Sequence, residues 1–279
     1  MEEHDASTPR WVFVAMAVTA SLLLVGLVGL GLLGSWLGVG PFAPASEEPP
    51  QGATGPTAAS SEGYTVWERN DDGAPVAWDP CEPVELVLAE EGWPAGTRED
   101  LHAAVDEIAE LSGLELVVDG EVDESPSGAR LPYQPERYGE RWAPVLVGWA
   151  EPHEDGLPMR DTDRGVAVPL AVGPVGDRGY VSGQVVLNAE RDDLVAGGRD
   201  RASSWRAIMM HELAHVLGLG HVEDEDELMY TYPGEGPVAF GPGDRRGLSA
   251  VGGDRPCRPA PSPGPVDVAP PPDGPHHRG

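Results

Sequence analysis

Three histidines and one glutamate fall within eleven residues, His211-Glu212-Leu213-Ala214-His215-Val216-Leu217-Gly218-Leu219-Gly220-His221. Imidazole nitrogens and carboxylate oxygens are the ligands and proton carriers of metal-assisted hydrolysis. At 3.6 residues per turn, His211 and His215 lie one above the other on a single helix face, so both rings can reach one metal ion. Glu212, beside them, is placed to polarise a water held at the same ion. Zinc on three neutral imidazoles keeps its fourth position open and lowers the pKa of water bound there towards ~7, so that a nearby carboxylate can take the proton. A straight helix would carry His221 away from this point. Gly218 is therefore expected to end the helix in a left-handed turn and swing His221 back.

Such a cluster needs a rigid fold around it, and both ends of the chain read as non-globular. Of 279 residues, 1–10 are polar and 11–39 form an apolar run without a charge. A run of that length exceeds a secretory h-region of roughly 7–15 residues and reads as a transmembrane anchor. Arg10 lies before it, and Glu47 and Glu48 after it, which places the N-terminus in the cytoplasm and the rest outside the cell membrane. The competing reading is a long signal peptide cut after Ala43-Pro44-Ala45 and a secreted product. Residues 40–62, rich in Pro, Ala, Ser and Glu, have too few large apolar groups to fold and read as a tether. Residues 259–279 are a Pro-rich tail read as disordered.

Between them, residues 63–258 carry the patterns of one domain. Tyr64–Trp67 and Val76–Trp78 flank Asn70-Asp71-Asp72-Gly73 as a β-hairpin. Strands are expected at 83–88, 114–118, 143–149, 166–172 and 180–187, with a helix from Thr97 to Gly113 between the first two of these. That strand-helix-strand order implies a parallel pair. A short last helix is expected over 243–252. The 47 acidic residues against 18 basic ones, all arginine, leave a net charge of −29 and make nucleic acid an unsuitable partner. In an exported protein the two cysteines, Cys81 and Cys257, read as a disulfide.

The eleven-residue stretch matches the metzincin signature H-E-x-x-H-x-x-G-x-x-H. Leu228-Met229-Tyr230 follows at a spacing that resembles the matrixin branch, whose methionine turn lies beneath the metal, and makes Met229 the candidate. Trp78-Asp79-Pro80-Cys81, Ser112-Gly113-Leu114 and Arg141-Trp142-Ala143-Pro144-Val145 look like bacterial, especially actinobacterial, matrixin-like metallopeptidases. The resemblance implies an α+β zincin domain: a twisted, mixed five-stranded sheet, an active-site helix and two other helices, here behind a transmembrane helix. It also implies that the fourth sheet strand, around Val168, Pro169 and Leu170, is the edge that aligns substrate. Proline in an edge strand agrees with that.

By this likeness the expected activity is that of a zinc endopeptidase acting on peptide or protein substrates outside the cell. His211, His215 and His221 hold one zinc, and Glu212 is the general base. A non-catalytic metal-binding or partner-binding envelope module on the same fold is the alternative. A cysteine bound to the zinc as an inhibitory ligand is the other reading of Cys81 or Cys257, although Asp-Pro-Cys-Glu-Pro is unlike the matrixin cysteine switch. The His and Asp pattern of a second, structural zinc is missing. The acidic run Glu223–Glu227 reads as a solvated loop, with calcium binding or attraction of cationic substrate as the other readings. Substrate specificity and oligomeric state are not encoded in any motif of the chain.

Overall fold

Two of the expected strands carry almost nothing polar: Val-Glu-Leu-Val-Leu-Ala at 84–89 and Val-Leu-Val-Gly-Trp-Ala at 145–150. Near-continuous apolar runs suit strands covered on both faces, as in the interior of a parallel sheet. A computed structural model of the chain, which describes residues 63–231 and 238–266, places both runs at the centre of such a sheet. In chain order the elements are β1 (Thr65–Val66), β2 (Val84–Ala89), α1 (Thr97–Ser112), β3 (Leu116–Val122), α2 (Pro135–Tyr138), β4 (Val145–Ala150), β5 (Gly165–Val172), β6 (Gly179–Asn188), α3 (Trp205–Leu217), β7 (Leu219–Gly220) and α4 (Pro242–Val251).

The main sheet has the order β3-β2-β4-β6-β5. Neighbours pair in parallel except β5, which runs antiparallel to β6 at the edge. The fold is thus α+β with a mixed five-stranded sheet. One face is covered by α1 and α3, which also pack on each other. Leu101, Ala104, Val105 and Ile108 of α1 meet Leu86, Val145, Val147 and Val185 of the sheet and Leu213 and Leu217 of α3 in the main core. The opposite face carries two smaller clusters, around Leu146 and around Met159 and Val186.

The hairpin expected at 64–78 does not form as such. Its turn does, with Gly73 at φ 82° and an isolated bridge from Arg69 to Pro75. Thr65 and Val66, however, pair antiparallel with Gly220 and Leu219 in a separate two-stranded sheet. Val66 and Leu219 are both buried, so this pairing places two apolar side chains in the core that a free hairpin would leave half exposed. The strand expected at 114–118 is observed at Leu116–Val122. Gly113 ends α1 at φ 70° and Leu114 N–H donates to Ser112 Oγ at 3.2 Å, so the first two residues are used in the turn. The single helical turn α2 was not anticipated.

The apolar run 11–39, the tether 40–62 and the tail beyond 266 lie outside the described residues. Among the described residues, no helix is long and apolar enough to cross a membrane. The described part of the expected tail meets the domain at Pro261, whose carbonyl accepts from Trp142 Nε1 at 3.1 Å.

Candidate metal centre

Helix α3 has no solvent face: every residue except Arg206 is buried. A helix apolar all round belongs to the core, so its three buried polar side chains, His211, Glu212 and His215, need specific partners. The helix opens at Ser204, whose side chain accepts from Ala207 N–H at 3.3 Å, a start that the sequence reading did not mark. It closes at Gly218, at φ 111°, with the glycine N–H bonded to Ala214 and His215 carbonyls. Trp78 Nε1 satisfies the Val216 carbonyl at 2.9 Å. A side chain on Gly218 would meet Tyr180 Cε2 and the Val76 carbonyl at 3.0 Å. Gly218→Ala is therefore expected to cost about 1–2 kcal/mol from the left-handed backbone alone and to weaken metal binding by displacing His221. Thermal melting and zinc titration of the variant check both effects.

After Gly218 the chain turns back through β7, whose pairing with β1 sets the direction of His221. Thr65 Oγ1 donates to the His221 carbonyl at 2.6 Å. The result is that Nε2 of His211, His215 and His221 lie 3.0, 3.1 and 3.1 Å from one another. Each Nε2 either carries a proton or does not, so among three mutual contacts at least one pairs like with like. Hydrogen bonding among the rings cannot satisfy the triangle. A dication at ~2.0–2.1 Å from each nitrogen fits over a triangle of this size, and imidazole is a preferred zinc donor. The outer nitrogen of His211 supports the same assignment: Nδ1 lies 2.8 Å from the Leu228 carbonyl, an acceptor that directs Nε2 to a metal, while His215 Nδ1 lies 2.7 Å from the Leu219 carbonyl.

Glu212 is 3% exposed and sits against Gly165 at the start of β5, where a side chain would meet Glu212 Cγ at 3.0 Å. Burial pushes its carboxyl up to about 8, and the negative charge of Asp163 adds to the rise. A dication beside it would pull the value back down. Asp163 is itself held by Arg160, through the backbone N–H at 2.9 Å and the guanidinium at 3.2 Å. Gly165 and Asp163 lacked any motif that marked them.

Met229 is fully buried in the turn after the third histidine. That turn is fastened by two buried carboxylates. Asp244 accepts from Leu228 N–H at 2.5 Å, Met229 N–H at 3.4 Å and Gly241 N–H at 3.1 Å. Glu227 accepts from Gly243 and Asp244 N–H at 2.7 and 2.8 Å, capping α4. The acidic run is thus solvated only over Glu223–Asp226, because Glu227 turns inward to meet amides that would otherwise be buried unpaired. Pro242 at the first position of α4 with Asp244 two residues on is a helix-start pattern that marks this capping in the sequence.

Burial, followed by repulsion from Glu227, raises the Asp244 carboxyl to about 7. An unfolded aspartate titrates near ~3.9, so the folded chain binds this proton more tightly, and the stability it contributes is complete below pH ~4 and lost as pH rises through ~7. Glu227→Gln is expected to flatten the fall in melting temperature between pH 5 and 8. Paired melting curves across that range measure the slope, at about 2–4 °C for each kcal/mol in a domain of this size.

The remaining sequence candidates fall as follows. Cys81 and Cys257 form a disulfide, so neither sulfur is a free ligand. Among the described residues, the other metal-like grouping is Asp79 with these same two cysteines. His102 and His153, which belong to no metal-binding pattern in the sequence, are exposed, the latter 3.4 Å from Asp161. Val168, Pro169 and Leu170 lie in β5, with Pro169 opposite Gly183 of β6. Asn188 N–H donates to the Arg164 carbonyl at 3.0 Å. Strand alternation then turns the carbonyls of Gly165, Ala167 and Pro169 away from β6, so Pro169 stands where no ladder N–H is required.

No curated protein matches the chain. Residues 130–251 match the family model of the matrixins, peptidase family M10. That span contains the three histidines, Glu212, Met229, the edge strand β5 and all of α4. Over residues 130–251, somewhat under half of its length, the chain is similar to the matrixins, a metzincin-type family of zinc metallopeptidases.

Proposed function

We propose that the protein is a zinc endopeptidase. The observation that carries this reading is the meeting of three imidazoles at one point on a buried helix, with an intact carboxylate beside them. His211, His215 and His221 would hold the ion. Bound there, zinc supplies Lewis acidity that polarises a scissile carbonyl and acidifies water. Glu212 takes a proton from the attacking water as the oxygen–carbon bond forms, then delivers it to the amine as the carbon–nitrogen bond breaks. With zinc bound, the charge of the ion would lower the raised pKa of this buried carboxyl, which suits a group that must both accept and return a proton near neutral pH.

The outward carbonyls of Gly165, Ala167 and Pro169, together with the N–H groups of Gly165 and Ala167, offer a peptide an antiparallel strand beside β5. Met229 would support the site from the buried turn in which the preceding Leu228 carbonyl lies 2.8 Å from His211 Nδ1. The substrates are peptide bonds of proteins at the cell surface. The run 11–39 anchors the chain in the membrane with the catalytic domain outside, and the disulfide suits that oxidising side.

The full chain, purified oxidised in detergent, should carry about one zinc per molecule and cleave a mixed peptide library, with the cut sites defining specificity. Zinc without cleavage would favour the non-catalytic binding module, and a folded chain that takes no zinc would overturn the assignment.

A further inference from the structure

His215 Nδ1 has two polar neighbours with opposite demands. The Leu219 carbonyl, 2.7 Å away, only accepts. The Trp67 indole Nε1, 3.0 Å away, only donates. One ring nitrogen cannot serve both. With the proton on Nδ1, the ring donates to Leu219 and presents a bare Nε2, the form that ligates a metal. With the proton on Nε2, Nδ1 accepts from Trp67 and the ring cannot ligate. Nε2–H then points at the neighbouring Nε2 atoms of His211 and His221, 3.0 and 3.1 Å away.

We propose that Trp67 is a positioning residue that stabilises the non-ligating tautomer of His215 and so weakens the affinity of the histidine cluster for its ion. This rests on reading the cluster as a metal site. Loading the ion moves the ring proton: Nε2 releases one to solvent and Nδ1 takes one up, with no change in net charge. The indole N–H then loses its acceptor. The indole is held in place for this role, because Trp67 N–H donates to the Gly218 carbonyl at 3.0 Å. Its ring meets the imidazole edge-on, with centroids 5.3 Å apart at 85°. The residues before it, Thr65 and Val66, are paired to the stretch that carries the chain to His221. The segment Thr65–Trp67 therefore both aims the third histidine and sets a limit on how tightly the second one binds.

Trp67→Phe keeps an aromatic edge against His215 and removes only the donor. In the full chain it is expected to bind zinc about 3- to 10-fold more tightly than wild type, the worth of one net hydrogen bond, measured by competition with a chelator of known affinity. A packing role alone would lower the affinity or leave it unchanged, and either result overturns the proposal while the metal site stands. If neither protein binds zinc, the metal-site reading itself fails. A second readout needs no variant. Nitrogen-15 spectra of the wild-type histidines after chelation should show His215 protonated on Nε2, and after zinc is added on Nδ1. Protonation on Nδ1 in the chelated wild type would overturn the proposal.

Discussion

Glu212→Ala should leave zinc bound and reduce peptide hydrolysis by about 10²- to 10⁴-fold, the usual contribution of a positioned general acid–base group. The two effects separate because, in the proposed site, the three imidazoles would be the ligands and the carboxylate would stand beside them. Glu212 is 3% exposed, so little outside water can enter on its side to replace it as proton acceptor. Glu212→Gln tests the same step with less change of shape against Gly165. Zinc content by atomic absorption, together with single-turnover cleavage of a peptide identified from the library, checks both halves of the expectation. Activity within tenfold of wild type in a preparation free of other proteases would remove Glu212 from the mechanism.

Removing the disulfide is expected to have the largest effect on stability. Cys81 and Cys257 are 176 residues apart in sequence, and closing a loop of that size stabilises the fold by about 5 kcal/mol in the chain-entropy model. That is comparable with the whole net stability of a typical domain, ~5–15 kcal/mol. The bridge joins the segment ahead of β2 to the segment beyond α4, and α4 carries Asp244, which fastens the turn around Met229. Cys81→Ser with Cys257→Ser should therefore lower the melting temperature by on the order of 10–20 °C and weaken zinc binding as α4 loosens. Calorimetry of the oxidised protein beside the double variant measures the first effect. A shift under about 3 °C would show that the unfolded chain gains little freedom when the bridge is lost.

Much of the site is legible in the chain because local geometry produces it. His211 and His215 share a face by helix periodicity, and Gly218 lies where only a left-handed turn can return the chain. The sheet strands were also readable, since their apolar runs reflect burial on both faces. The start of α3 was not, because a helix buried all round has no amphipathic period to mark it. The hairpin expectation failed for a related reason. Its turn is local, but the partner of Thr65–Val66 is chosen by the burial of Val66 against Leu219, more than 150 positions further on.

The sequence by itself thus determined the clustered histidines, the carboxylate beside them and the glycine that ends their helix, since spacing along one backbone sets all three. Only the tertiary structure decided what surrounds them. Gly165 makes room for Glu212, whose burial, with the charge of Asp163 adding to it, raises its pKa. Asp244, with Glu227 beside it, holds the turn whose Leu228 carbonyl meets His211, and Trp67 contests the proton of His215. Each of these contacts joins segments far apart in the chain. Close packing and the need to satisfy buried polar groups select such contacts, and neither leaves a periodic trace in the sequence.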